Sequence, residues 1–180
     1  MQVKDYIPLA IRTESPKETG LSRKHTRLLH AAIGVATETA ELVQADTDQN
    51  QVEELGDAAW YLAAATDAIG AQSLTISSGG RENRVRAKEL SRELHILSGD
   101  FLDQMKKLVF YGKEPNEANL TMTVFNLWQT VANLSAAKGH DFGIVLEANI
   151  RKLRIRYPEK FTSEAAVNRN LDAEAESLRQ

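Results

Sequence analysis

No cysteine occurs anywhere in the 180 residues, which removes disulfide scaffolds, thiolate nucleophiles, zinc–thiolate sites and redox pairs from the chemistry open to the chain. Basic charge is not in excess either. The 22 Lys and Arg residues stand against 25 Asp and Glu, a formal net charge of −3, and polymeric DNA or RNA is a poor partner for that balance. Long hydrophobic runs are also missing. The longest unbroken apolar stretch, 58–65, falls far short of the roughly 20 residues that a membrane-spanning helix needs. The opening MQVKDYIPLA lacks the basic-then-apolar pattern of a secretory leader. The expectation is a soluble, cytoplasmic protein that engages neither a membrane nor a nucleic acid polymer.

Proline is equally sparse. Its four occurrences, Pro8, Pro16, Pro115 and Pro158, leave 17–114 and 116–157 free of the strongest helix breaker. Inside those windows the apolar residues recur at steps of three and four, which is helical spacing. Leu28, Leu29, Ala32, Ile33, Ala36, Ala40 and Val43 predict a helix over 28–43 that ends near 46–50. Leu55, Ala59, Leu62 and Ile69 predict a second over 51–69, stopped by Gly70. Leu90, Leu94, Leu97, Phe101, Met105 and Leu108 predict a long third over 84–111, stopped by Gly112. Val124, Leu127, Val131 and Leu134 predict a fourth over 120–137, and a fifth over 142–157 is closed by Pro158. Residues 73–81 read as a flexible loop, and the charged tail 163–180 as a short amphipathic or frayed segment. The expectation is a single all-α domain over 1–180, a bundle of about five helices. Trp60, Trp128, Phe101, Phe110 and Phe125 fall at core spacing.

A weak internal repeat pairs Glu38 and Glu41 with Asp100 and Asp103, and Trp60 with Trp128, so the bundle reads as a degenerate tandem duplication of a helical hairpin. The second copy has nothing acidic where the first has Glu54 and Asp57. Chemistry is therefore expected in the first half.

Glu38 and Glu41 lie three residues apart, as do Glu54 and Asp57, so each pair projects from one face of its helix. Their neighbours along those faces are small and apolar, which directs the four carboxylates toward a packed seam. Ala36, Ala40, Gly56, Ala58 and Ala59 would let the two helices approach closely. Carboxylates brought together out of water repel and lose hydration, unless a cation lies between them. No Lys or Arg lies within a helical turn of either pair. An all-oxygen set of this kind suits Mg²⁺, with Mn²⁺ as a substitute, rather than zinc. A di-iron bundle would need Glu-x-x-His, and none of the four histidines has Glu three positions before it.

Three blocks then carry a resemblance: HAAIGVATETAE over 30–41, EELGDAAWYL over 53–62 and NIRKLRIRYPEKF over 149–161. In this order they resemble the MazG-like all-alpha nucleoside triphosphate pyrophosphohydrolases, over about residues 5 to 170. The resemblance implies Mg²⁺ held by Glu38, Glu41, Glu54 and Asp57, and cleavage of nucleoside triphosphates to monophosphate and pyrophosphate by attack at the α-phosphorus. It places Asn149, Lys152, Arg156 and Tyr157 against the phosphates, with Lys106 and Lys113 of MKKLVFYGK as a second candidate cradle. Either Glu38 or Glu41 would activate the water. The family often has a further Glu where this chain has Thr37, a place that Glu53 could fill. A homo-oligomer, dimer or tetramer, is implied as well.

The leading expectation is a Mg²⁺-dependent nucleotide pyrophosphohydrolase that clears non-canonical or surplus nucleotides. The alternative is a helical interaction or scaffold module of the same fold without turnover, and phosphoribosyl-ATP pyrophosphohydrolase chemistry is a third, less supported reading. Glu41→Gln or Asp57→Asn is expected to abolish turnover and, by relieving repulsion in the metal-free protein, to leave the fold intact or raise its melting temperature.

Overall fold

Ser22, Thr47, Asn116 and Asp141 each turn a side-chain oxygen onto a backbone N–H three residues ahead, satisfying donors that the first turn of a helix leaves open. These caps start four of the long helices in the computed structural model, which describes residues 1–14, 20–77 and 84–178. The long helices are α2 (Arg23–Gln44), α3 (Asp48–Ala68), α4 (Arg84–Tyr111), α5 (Glu117–Lys138) and α6 (Phe142–Arg156). The first, α1 (Val3–Ala10), is short and runs into a 3₁₀ turn at Ile11–Thr13, and the chain closes with α7 (Ser163–Val167) and α8 (Leu171–Ser177). Among the described residues every regular element is helical. The all-α reading and its five principal helices stand, with boundaries within three residues of those expected except at the start of α2, which begins five residues earlier, at Arg23. The end of α5 falls at Gly139, whose φ of +93° closes the last turn in the left-handed region.

Helices α2 and α3 are joined by three residues and pack together along their length; α4 and α5 form a second hairpin, and α2 also lies on α4. Helix α3 sits centrally, touching α5, α6 and α1 besides α2. Leu28, Leu42, Leu55, Leu62, Leu94, Phe101, Leu127 and Trp128 are buried to within 2% in the shared core. Burial of a side chain of that size contributes about 1.5–3 kcal/mol each. Of the expected core aromatics, Phe110 departs: it is 75% exposed near the end of α4, where it borders an open groove with Leu29 and Ile33 of α2.

Helix α1 was not expected, since Pro8 lies inside it. Proline lacks the N–H that would reach the carbonyl four residues back, but the fixed spacing of Val3, Tyr6, Ile7 and Ala10 buries all four against the bundle. The described part of the tail, through residue 178, is largely helical. Helix α8 packs on α6 and buries Glu174 to 2% exposure. Of the expected loop 73–81, residues from 78 onward lie outside the described residues. Asp100 and Asp103, the repeat's counterparts of Glu38 and Glu41, face outward, with Asp103 paired to Lys106 and Lys107. Among the described residues no helix is long and apolar enough to cross a membrane.

Candidate functional site

The α2–α3 hairpin brings Glu38 and Glu41 opposite Glu54, with carboxylate oxygens of all three within 4.8 Å of one another. The approach depends on Gly34. A Cβ there would stand 2.2 Å from the Tyr61 ring, so any side chain would push α2 off α3 or turn the ring out. Gly56 serves a different seam, since its Cβ would meet Asn149 of α6 at 2.9 Å. Of the small residues expected to close the α2–α3 gap, Gly56 therefore closes α3 onto α6.

The carboxylates form one wall of a cleft of about 450 Å³. Glu53 and Asp57 continue that wall, the aromatic rings of His30, Trp60, Tyr61, Tyr157 and Phe161 line another part, and Arg156 and Arg169 supply positive charge. His30, Trp60 and Tyr61 meet edge to face, their centroids 4.9–5.8 Å apart, which fixes the rings. The Trp60 Nε1–H donates to Ala10 O and Thr13 Oγ1 at 3.0 and 2.9 Å, tying this wall to the 3₁₀ turn.

Asp57 stands apart from the three glutamates in its bonding. Lys152 Nζ donates to both of its oxygens at 2.6 Å, and Asn149 Nδ2 donates to Oδ1 at 2.8 Å. Lys152 is fully buried and also reaches Glu53 Oε1 at 3.2 Å. Tyr6 OH donates to Asn149 Oδ1 at 2.7 Å, completing a buried polar chain from α1 through α6 to α3. Asn149 and Lys152, implied by the resemblance as phosphate contacts, thus spend their polar atoms on α3 and on Tyr6 of α1 and do not line the cleft. Lys106 and Lys113 do not line it either: Lys106 borders a separate groove with Leu29 and Phe110, and Lys113 is exposed beyond α4. Arg156 and Tyr157 do line it. Thr37 turns its hydroxyl back onto Gly34 O at 2.9 Å, with Glu38 Oε1 at 3.4 Å.

Sequence reasoning missed Tyr6, Arg169 and Glu174. The helical spacing around Tyr6 was a usable signal; no local signal marks a tail residue as part of a cleft built by helices over a hundred positions away.

Burial, the charge of Asp57 and that of Glu41 push the Glu38 carboxyl up to about 8. Burial and Asp57 push Glu54 up to about 7, and the two carboxyls share a hydrogen bond. Burial followed by the charge of Glu38 raises the Tyr61 hydroxyl to about 12, and burial lowers His30. A carboxyl pair that retains a proton near neutrality is short of positive charge. The donors are three carboxylates, without histidine or cysteine among them, and that set fits a hard divalent cation with oxygen ligands. Glu38, Glu41 and Glu54 are the residues that would hold it.

Stability of the metal-free protein follows in sign. The folded chain keeps protons on Glu38 and Glu54 where the unfolded chain, with carboxyls near 4.5, has lost them, so stability falls as the pH rises from about 4.5 to 8. After solvent screening at the cleft the fall is of order 1–2 kcal/mol. Urea midpoints measured from pH 5 to 8 in a chelator should decline, and Glu38→Gln should flatten the profile; an unchanged slope in that variant would remove Glu38 as its source.

Comparison of the chain with protein-family models, with curated proteins and with solved structures gave no match.

Proposed function

We propose that the chain is a Mg²⁺-dependent nucleotide pyrophosphohydrolase, cleaving (deoxy)nucleoside triphosphates between the α- and β-phosphates to monophosphate and pyrophosphate. One observation carries the reading: a single cleft has three convergent carboxylates on one side and two arginines among its lining residues. A triphosphate brings about four negative charges and cannot approach such carboxylates unaided. When bound, Mg²⁺ supplies that neutralisation and polarises the phosphate.

The chain's own residues divide the remaining work. Glu38, Glu41 and Glu54 hold the cation, and the half-buried Glu38 accepts the proton of the attacking water at its carboxylate. Asp57, fixed by Lys152 and Asn149, sets the rotation of α3 and with it the direction of Glu54. Arg156 holds the outer phosphates. The role that follows is removal of non-canonical or surplus nucleotides in the cytoplasm, by a dimer or tetramer.

Thr37 favours a second reading, a helical scaffold module without turnover, because its side chain is turned onto its own helix where the resembled family often has a carboxylate. A panel of ribo- and deoxynucleoside triphosphates incubated with Mg²⁺ separates the two. Equal amounts of monophosphate and pyrophosphate from at least one member are expected. Orthophosphate as the first product, or silence across the panel from folded protein, overturns the hydrolase.

A further inference from the structure

Glu174 is a carboxylate with 2% exposure on a short helix near the chain's end, and two guanidinium groups converge on it. Arg156 donates from Nε to Oε1 at 3.0 Å and from Nη2 to Oε2, the forked arrangement that fixes a guanidinium plane. Arg169 donates from Nη2 to Oε2 at 2.7 Å and from Nε to the same oxygen at 3.3 Å. Burial alone would raise the Glu174 carboxyl, but the two arginines outweigh it and hold it down at about 2, so the carboxylate stays ionised. Helix α8 is further fastened by Arg151 Nε to Ser177 O at 3.2 Å and Gln49 Nε2 to Ala175 O at 3.0 Å.

A fastening would need only one arginine. Two guanidinium groups sharing one carboxylate leave a net charge of +1, and like charges placed side by side cost energy unless an anion completes them. Each guanidinium has five N–H donors, and among the described residues neither Nη1 has an acceptor. Both arginines line the acidic cleft. Arg169 is the more open, at 36% side-chain exposure against 16% for Arg156, and Arg156 is close enough to Asp57 to feel its charge. The charge left over therefore borders the cleft in which the carboxylates would hold a cation.

We propose that Arg169 is a second phosphate-binding residue of the cleft, and that Glu174 is its positioning residue, setting Arg169 and Arg156 side by side as a clamp for the outer phosphates of a polyphosphate. The identity of the occupant rests on the hydrolase reading. The tail is then part of the site, and a chain ending after α6 would lose substrate affinity while keeping its carboxylates.

Inorganic triphosphate, titrated calorimetrically into the full chain in Mg²⁺, isolates the clamp from base recognition and from turnover of nucleotides. Arg169→Ala should weaken its binding about 10-fold, and raise KM for the best nucleotide about 10-fold with kcat changed less than about 3-fold, as expected when binding common to ground and transition states is removed. Arg169→Lys should recover part of the loss. Glu174→Gln should reproduce it with both arginines still present, and Mn²⁺ binding to the carboxylates should be unchanged in all three. A merely structural tail would instead lower the melting temperature and move kcat and Mn²⁺ affinity together. Wild-type affinity for triphosphate in Arg169→Ala overturns the clamp, as does a wild-type chain that binds no triphosphate. Arg169-dependent binding without turnover of any nucleotide keeps the clamp and removes the hydrolase; turnover insensitive to Arg169 does the reverse.

Discussion

Glu41→Gln and Glu54→Gln are each expected to lower Mg²⁺-dependent triphosphate turnover by about 10³-fold, with helical content unchanged. A divalent cation contributes several kcal/mol of charge stabilisation in the transition state, and at 1.36 kcal/mol per tenfold the loss of about 4 kcal/mol gives that factor. Both side chains offer oxygens to the same 4.8 Å group, so one amide weakens the whole set rather than one bond. Neither residue is in the buried core: Glu41 is exposed and Glu54 half-buried. The fold should therefore tolerate the change, and the metal-free protein should gain a little stability because Glu54 then no longer opposes Glu38. Turnover in a product-resolved assay, Mn²⁺ binding and circular dichroism check the three parts. Turnover persisting in both variants would sink the carboxylate site.

The five long helices were legible because proline-free stretches with apolar residues every three or four positions have one cheap way to bury them; the starts of α2, α3 and α5, set by side-chain caps, lie three to five residues before those that the apolar spacing marked. The carboxylate pairs were legible for the same reason: the period of the helix fixes which residues share a face. What the period does not fix is the partner across a seam. Lys152 lies 95 residues from Asp57, and the three-and-four spacing of Asn149, Lys152 and Arg156 puts them on one helix face without saying whether that face meets substrate or protein. Asn149 and Lys152 proved to be buried in the interface with α3, while Arg156, at the end of α6, reaches the cleft. Glu174 was hidden more deeply, since a glutamate in a charged tail ordinarily faces water.

Asp57→Asn is expected to destabilise the protein by about 2–4 kcal/mol, contrary to the relief of repulsion that the acidic spacing alone implied. The reason is Lys152. Its side chain is 0% exposed and pairs with Asp57, itself 28% exposed, at 2.6 Å; breaking a buried pair from one side costs about 3–5 kcal/mol because the remaining charge has no water. Glu53, at 3.2 Å, offsets part of that cost. Against a total stability of about 5–15 kcal/mol, the urea midpoint should fall markedly. Lys152→Met should cost less, about 1–3 kcal/mol, since Asp57 retains Asn149 and some solvent. The double variant should be more stable than the sum of the two losses allows, and the difference measures the coupling. Glu38→Gln is the control, because Glu38 has acidic neighbours where Asp57 has a lysine, and it should move the midpoint upward at pH 8. A midpoint for Asp57→Asn at or above that of the wild type would mean that Asp57 belongs with the repelling glutamates after all.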